Sequence, residues 1–190
     1  HLVIRRQRQM CIRDSDWDQQ RVILATVHRR ENWGERLNDI ASGMLQVLEC
    51  YPDTALLLPM HRNPTVREPL QALLGSHPRV VLTEPLDYDR LVAAMKGCCL
   101  LLTDSGGLQE EAPALGKPVL VLRRTTERPE AVDAGTARLV GTDPDVILEE
   151  TSRLLGDATA YQEMSRAVNP FGDGHASERI LERCRRQLGV

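Results

Sequence analysis

The residues with the most chemical potential lie in the stretch "TDSGGLQEEAPALGKPVLVLRRTTERPEA", Thr103 to Ala131. Ser105, Gly106 and Gly107 make a small-residue turn directly ahead of a helical pattern. Free N–H groups and the helix dipole attract an anion at such a place, and glycines let a phosphate approach the backbone. The same three residues also suit a plain N-cap, because Ser favours that position. Glu110 and Glu111 follow about one turn inside the helix. A carboxylate there can accept hydrogen bonds from vicinal hydroxyls, as an acidic residue does for ribose. It can equally stay solvated and complement the dipole. Read together, the turn and a glutamate match the diphosphate and ribose of a nucleotide. There is no GxGxxG and no Walker motif, so neither an NAD site nor a P-loop is supported.

His28 is the candidate for chemistry. A His at the end of a strand can donate to a phosphate oxygen or move a proton near neutral pH, although a lone His is more often structural. His61 carries the same two readings. Arg29, Arg30, Arg123, Arg124 and Arg128 could make charge-assisted bonds to phosphates, against a default surface role for any one of them. His77 and His175 have no partner legible in the sequence.

Alternating elements must position these residues. From Arg21 onward, short apolar runs rich in Val, Ile and Leu alternate with segments of helical spacing. The strands are "RVILATV", "TALLLPM", "RVVLT", "CCLLLT", "PVLVLR" and "ARLVG". Helices are expected at Glu35–Tyr51, Pro64–Gly75, Tyr88–Gly97, Gly107–Gly116 and briefly near Pro129. Three more close the chain at Pro144–Gly156, Ala158–Ala167 and Ala176–Leu188. Short connections between alternating strands and helices require parallel pairing. Strands that are apolar throughout expect both sheet faces to be covered. The reading is α/β, a doubly wound parallel sheet of about six strands. Ligands in such sheets lie at the carboxyl ends of the strands, which is where His28, "MHRNP", "EPLDYDRL", "DSGG" and "RRTTERPEA" all fall.

The totals narrow the function classes. A chain of 190 residues can bury a real core as one domain, and 42% hydrophobic with 27% charged residues argues against disorder. A net charge of −3 gives no electrostatic case for nucleic acid. No apolar run approaches the ~20 residues of a membrane span. The five cysteines have no zinc-like spacing and read as reduced thiols of a cytoplasmic protein. The first fifteen residues, "HLVIRRQRQMCIRDS", lack periodicity and are set apart from the domain at 16–190.

The strings "TVHRREN", "EPLDY", "LTDSGGLQEEAPALGKPVLVLR", "TTERPEA" and "NPFGDGHASERI" together resemble the UDP-N-acetylglucosamine 2-epimerase family, bacterial non-hydrolysing type. The resemblance runs from about Arg21 to the C-terminus. It implies a GT-B architecture of two Rossmann-like domains, with this chain as the C-terminal, UDP-binding one and residues 1–15 outside the family. It implies that Ser105, Gly106 and Gly107 contact the diphosphate, that Glu111 binds the ribose hydroxyls and that Arg128 contacts phosphate. His28 would assist departure or return of the diphosphate. The uracil would rest near Leu91, where relatives often carry Phe, so stacking on the base is weaker here. Arg29 and His61 match positions that help bind a second UDP-GlcNAc as an activator, although "HRNP" departs at Arg62 from the commoner form.

The reaction implied is the interconversion of UDP-GlcNAc and UDP-ManNAc by elimination and re-addition of UDP. It calls for no metal and no redox cofactor. The acids and base at the sugar are expected in the other domain. The isolated chain is therefore expected to be nearly inactive, with the last helix leaving Ile180 and Leu181 exposed and the full-length protein a homodimer. Three alternatives stay open: a hydrolysing epimerase, a GT-B glycosyltransferase and a non-catalytic nucleotide-binding module. "HRREN" followed by "MHRNP" favours the non-hydrolysing type.

Overall fold

The computed structural model describes residues 19–189. The segment 1–15 set apart above lies outside the described residues.

Six strands form one parallel sheet: β1 (Arg21–Thr26), β2 (Thr54–Pro59), β3 (Val80–Thr83), β4 (Leu100–Thr103), β5 (Val119–Val121) and β6 (Ala137–Leu139). Their order across the sheet is β3-β2-β1-β4-β5-β6, with every neighbouring pair parallel. The chain runs outward from β1 through β3, then returns to place β4 on the other side of β1. The expected doubly wound α/β sheet is therefore what the protein adopts. Its switch point lies between β1 and β4, where a crevice opens at the strand ends.

The helices are α1 (Glu35–Cys50), α2 (Pro64–Leu74), α3 (Tyr88–Gly97), α4 (Gly106–Ala114), α5 (Pro129–Asp133), α6 (Pro144–Gly156), α7 (Ala158–Arg166) and α8 (Ala176–Leu188). They cover both faces, and the core is accordingly in two parts. One joins Ile23, Leu56, Leu58, Leu100 and Leu102 to Leu37, Ile40, Met44, Leu70 and Ile147 under α1, α2 and α6. The other joins Leu24, Leu101, Val119 and Val121 to Met95, Leu108, Ala112 and Ala131 under α3, α4 and α5. Alternate residues of one strand thus feed opposite cores, the period-2 rule applied to a sheet buried on both sides. Close approach of α1 and α6 depends on Gly43, where an added Cβ would sit 3.0 Å from the Ile147 Cβ.

Caps mark the helix starts. Asn63, Asp87, Asp143 and Asp157 each accept a backbone N–H in the first turn of α2, α3, α6 and α7. The helix α8 differs from the others in having no buried residue. Ile180 is 63% and Leu181 52% exposed, as expected from the sequence. No helix among the described residues is long and apolar enough to cross a membrane.

Candidate nucleotide site

The ends of β1, β4 and β5 carry a dense polar cluster, and its hub is Asp104. This residue directly follows the fully buried β4, and its side chain is itself fully buried. Its oxygens accept from the backbone N–H of His28 at 2.9 Å and of Arg29 at 2.8 Å, and from Asn32 Nδ2 at 3.0 Å. The His28 ring completes the set, with Nδ1 at 2.8 Å from Asp104 Oδ1. Burial alone would push the Asp104 carboxyl up. The His28 ring and the two loop N–H groups outweigh it and hold the carboxyl below its ordinary value. Asn32, also buried, spans from Asp104 to the Leu122 carbonyl and so ties the loop after β1 to the end of β5.

Ser105 occupies the N-cap position of α4, but its side chain makes no capping bond, unlike those of Asn63, Asp87, Asp143 and Asp157. Its own N–H is taken by Thr103 Oγ1 at 3.0 Å. The turn is braced from within the helix. Gln109, fully buried, donates to the Ser105 carbonyl at 3.0 Å and accepts from Thr126 Oγ1 at 2.5 Å. Gly106 and Gly107 are not in the left-handed region. What they supply is space: a Cβ on Gly107 would point at Glu111 Oε1 and Ser105 Oγ, and one on Gly106 at Arg29 Nη2, 3.6 Å away. Ser105 and Glu111 therefore flank Gly107, and Arg29 flanks Gly106, around the start of α4, where free N–H groups and the dipole favour an anion.

Two polar atoms of these residues are buried without a hydrogen-bond partner among the described residues: Glu111 Oε2 and Arg29 Nε. Buried polar atoms are nearly always paired in native structures, so unpaired ones mark places where a ligand or solvent completes the bonding. The adjacent Glu110 is used differently. It forms an ion pair with Arg128, whose guanidinium also donates to the Glu127 carbonyl at 3.1 Å. The neighbouring glutamates thus have separate jobs, one holding Arg128 and one left with an open oxygen.

A second ionic chain backs the loops. Arg123, only 5% exposed, bridges Glu31 at 2.6 Å and Glu127. Glu127 also lies 3.6 Å from Arg29 Nη1. The bond from Arg123 lowers the Glu127 carboxyl to about 2. On sequence Arg123 is one of five arginines that could bond phosphates, with a surface role as the default. It is instead the buried strut between the loop after β1 and the loop after β5.

Of the other residues singled out on sequence, His61 stacks near His28 with ring centroids 6.2 Å apart. Arg29 belongs with the Ser105–Gly107 turn as much as with His61. Leu91 is packed against the apolar cluster beneath α3 and is not tied to this group. His175, without a legible partner in the sequence, pairs with Glu178, and His77 accepts from the Arg79 N–H. Asp104, Asn32, Gln109 and the Arg123–Glu127 pair escaped the sequence reading. Only Asp104 gave a usable signal, a lone carboxylate ending an apolar strand.

Comparison with known proteins fits this geometry. The family model described as UDP-N-acetylglucosamine 2-epimerase matches residues 3–185, a span that begins inside the segment 1–15. The chain belongs to the UDP-N-acetylglucosamine 2-epimerase family. It is 53% identical over 162 residues to the UDP-N-acetylglucosamine 2-epimerase of Escherichia coli K12, covering 85% of this chain and 43% of that protein. A crystal structure of the UDP-GlcNAc 2-epimerase from Neisseria meningitidis bound to UDP-GlcNAc superposes with a TM-score of 0.86 at 44% identity, covering 97% of this chain and 49% of that one. The S. aureus MnaA–UDP structure gives 0.85 at 46% identity, covering 92% and 48%. The chain thus spans less than half the length of the family members it matches. The C-terminal domain of a Francisella tularensis group 1 glycosyl transferase shares the fold at 14% identity, with a TM-score of 0.62 over 87% of this chain and 93% of that domain.

Proposed function

We propose that this chain is the UDP-binding half of an enzyme that interconverts UDP-GlcNAc and UDP-ManNAc by eliminating and re-adding UDP. The observation that carries the reading is the buried, unpaired Glu111 Oε2 beside the uncapped Ser105–Gly107 turn. The Ser105 hydroxyl and the backbone N–H groups of Gly106 and Gly107 bind the diphosphate. Glu111 accepts from the ribose hydroxyls. Arg128 reaches phosphate from its pairing with Glu110, and the uracil lies toward Leu91.

Catalysis by this half is stabilisation of the leaving group. Breaking the bond between the sugar and UDP builds negative charge on the diphosphate. N–H donors and cations already fixed around that position favour the transition state over the bound substrate. His28 stands at the rim of the same crevice and donates to the diphosphate as it leaves. Arg29 and His61 provide part of a second, activating nucleotide site. The groups that remove and return the proton at the sugar come from the other half, so this chain alone is nearly inactive. The full-length protein acts as a cytoplasmic homodimer. Two relatives named above were solved with UDP or UDP-GlcNAc bound, which supports the ligand class.

Calorimetric titration of UDP into the chain, beside Glu111→Ala and Arg128→Ala, tests the reading. Binding that falls about tenfold or more in Glu111→Ala, the scale of a lost charge-assisted bond, and that also weakens in Arg128→Ala supports the assignment. Unchanged affinity in both variants removes these residues from the site.

A further inference from the structure

We propose that Asp104 is a positioning residue: it fixes the proton of the His28 ring on Nδ1 and so dedicates Nε2 to the ligand. The proposal rests on the reading of His28 as the diphosphate-facing imidazole. Its physical basis is the donor set around one buried carboxylate.

Asp104 Oδ2 takes three N–H donors, from His28 N, Arg29 N and Asn32 Nδ2, at 2.8–3.0 Å. Oδ1 lies 3.1 Å from the His28 N–H and 2.8 Å from the ring Nδ1. An ionised carboxylate accepts and never donates. A ring nitrogen held 2.8 Å from it must therefore carry the hydrogen. In the neutral ring this makes Nε2 the acceptor. In the charged ring it leaves Nε2–H as the donor that can turn to a phosphate oxygen. Nε2 has no partner among the described residues, and the His28 side chain is 39% exposed, so this second nitrogen is the one open to a ligand. The same carboxylate holds the backbone at both His28 and Arg29, which sets where the ring starts as well as how it is protonated. Asn32, anchored on Leu122, keeps the carboxylate from rotating away.

Asp104→Asn probes this arrangement. An amide has one acceptor and one donor end. Turned with its NH2 toward the loop, it would face three N–H groups that cannot give up their hydrogens. Turned toward the ring, it faces a nitrogen that can. The less costly answer is for the ring proton to move from Nδ1 to Nε2; Nε2 stays the nitrogen presented to the ligand, but the ring loses the carboxylate that stabilises its charged, doubly protonated form, the form that binds a diphosphate most strongly.

The decisive measurement is the two-bond 1H–15N spectrum of the 15N-histidine-labelled chain near pH 8.5, about two units above the ordinary imidazole value. The His28 signals are assigned by their loss in His28→Gln. The expected result is a protonated Nδ1 in the unaltered chain and an unprotonated Nδ1 in Asp104→Asn. An unprotonated Nδ1 in the unaltered chain overturns the proposal, and this arm stands whether or not Asp104→Asn folds or UDP binds.

A double-mutant cycle then separates positioning from mere bracing of the loop. Asp104→Asn is expected to weaken UDP about tenfold when His28 is present and less than about twofold in the His28→Ala background. Equal losses in both backgrounds would show that Asp104 acts without His28 and would overturn the proposal. No UDP binding by the unaltered chain would count against the proposed nucleotide site and leave the proton assignment to the spectrum.

Discussion

The loop after β1 and the helix α8 are held in opposite ways. The loop is short and polar, yet Asp104, Asn32 and Arg123 beneath it are at most 5% exposed and tie it to β4 and β5. The helix has an apolar stripe, Ile180, Leu181, Cys184 and Leu188, spaced to share one face, yet none of it is buried. Polarity and burial are thus inverted relative to the usual rule that apolar groups go inside. In the loop, every charge taken from water meets a partner of opposite sign or an N–H donor, which is the condition under which burial is tolerated. In α8 the ordered contacts are exposed polar pairs, the ion pairs of Arg179 with Asp173 and Arg186 with Glu182 and the contact of His175 with Glu178. Pairs of that kind contribute little. The two regions separate stability from shape: one is fixed by the rest of the domain, the other only by its own backbone.

The largest test of this contrast is Asp104→Ala. It strands the His28 and Arg29 N–H groups and the Asn32 amide in a buried site. Leaving a buried donor unpaired costs about 1–3 kcal/mol, and three are stranded here, so a loss of about 3 kcal/mol or more is expected. Urea unfolding should show Asp104→Ala less stable than the unaltered chain by that order. A change under about 1 kcal/mol would mean that water reaches the site and replaces the carboxylate. Acid should imitate the mutation. A carboxyl held below its unfolded value, about 3.9 for Asp, contributes fully at pH above that value, and the contribution is lost as pH falls through the folded value. Asp104 is shifted in that direction, so stability should fall below about pH 4 in the unaltered chain and fall less steeply in Asp104→Ala. Glu127 is also lowered, to about 2, but it is half exposed and screened, so it adds little to the slope.

A smaller effect is expected at Gln109, the brace between the Ser105 carbonyl and Thr126. Gln109→Ala leaves one half-buried carbonyl and one half-buried hydroxyl each short of a partner, for a loss of about 1–3 kcal/mol in the same urea experiment. It should also loosen the turn, so UDP affinity should fall although Gln109 is not assigned a contact with the nucleotide. If stability falls and affinity does not, the turn is held by α4 itself and Gln109 only fills the core.

Much of this molecule was legible before the structure. Among the described residues, each of the six strands and eight α-helices corresponds to a segment read from the sequence, because apolar runs of four to seven residues between helical patterns admit few alternatives; the short 3-10 turn Arg30–Asn32 was not read. The boundaries moved modestly: "PVLVLR" is a strand only over Val119–Val121, since Leu122 and Arg123 already turn into the loop. Strand order was not legible, because nothing in a local pattern says that β4 returns to lie beside β1. At the candidate site, the sequence showed the Ser-Gly-Gly turn and the two glutamates at the start of one helix, each with a ligand-binding and a plain structural meaning. The site's supporting part was hidden. Whether Arg123 is a surface cation or a buried strut depends on Glu31, 92 positions away in the chain. Asp104 is adjacent to Ser105 in sequence, but its importance comes from four donors that only the fold brings to it.

The weakest effect belongs to α8, and its smallness is what the contrast requires. Replacing Ile180 and Leu181 together by Ser removes two apolar side chains that are 63% and 52% exposed. In a core, truncating such residues costs about 2–5 kcal/mol each. Here little area returns to water, and substitutions away from packed features stay within about 0.5 kcal/mol. The urea midpoint of the double variant should therefore match that of the unaltered chain, while Asp104→Ala moves far. Helix propensity opposes the change slightly, since Ser is no better a helix former than Ile and worse than Leu, so any shift should be a small loss confined to α8. A loss above about 1 kcal/mol would show that the stripe packs on the domain in solution, and the distinction between a segment fixed by buried charge and one fixed only by its backbone would fail.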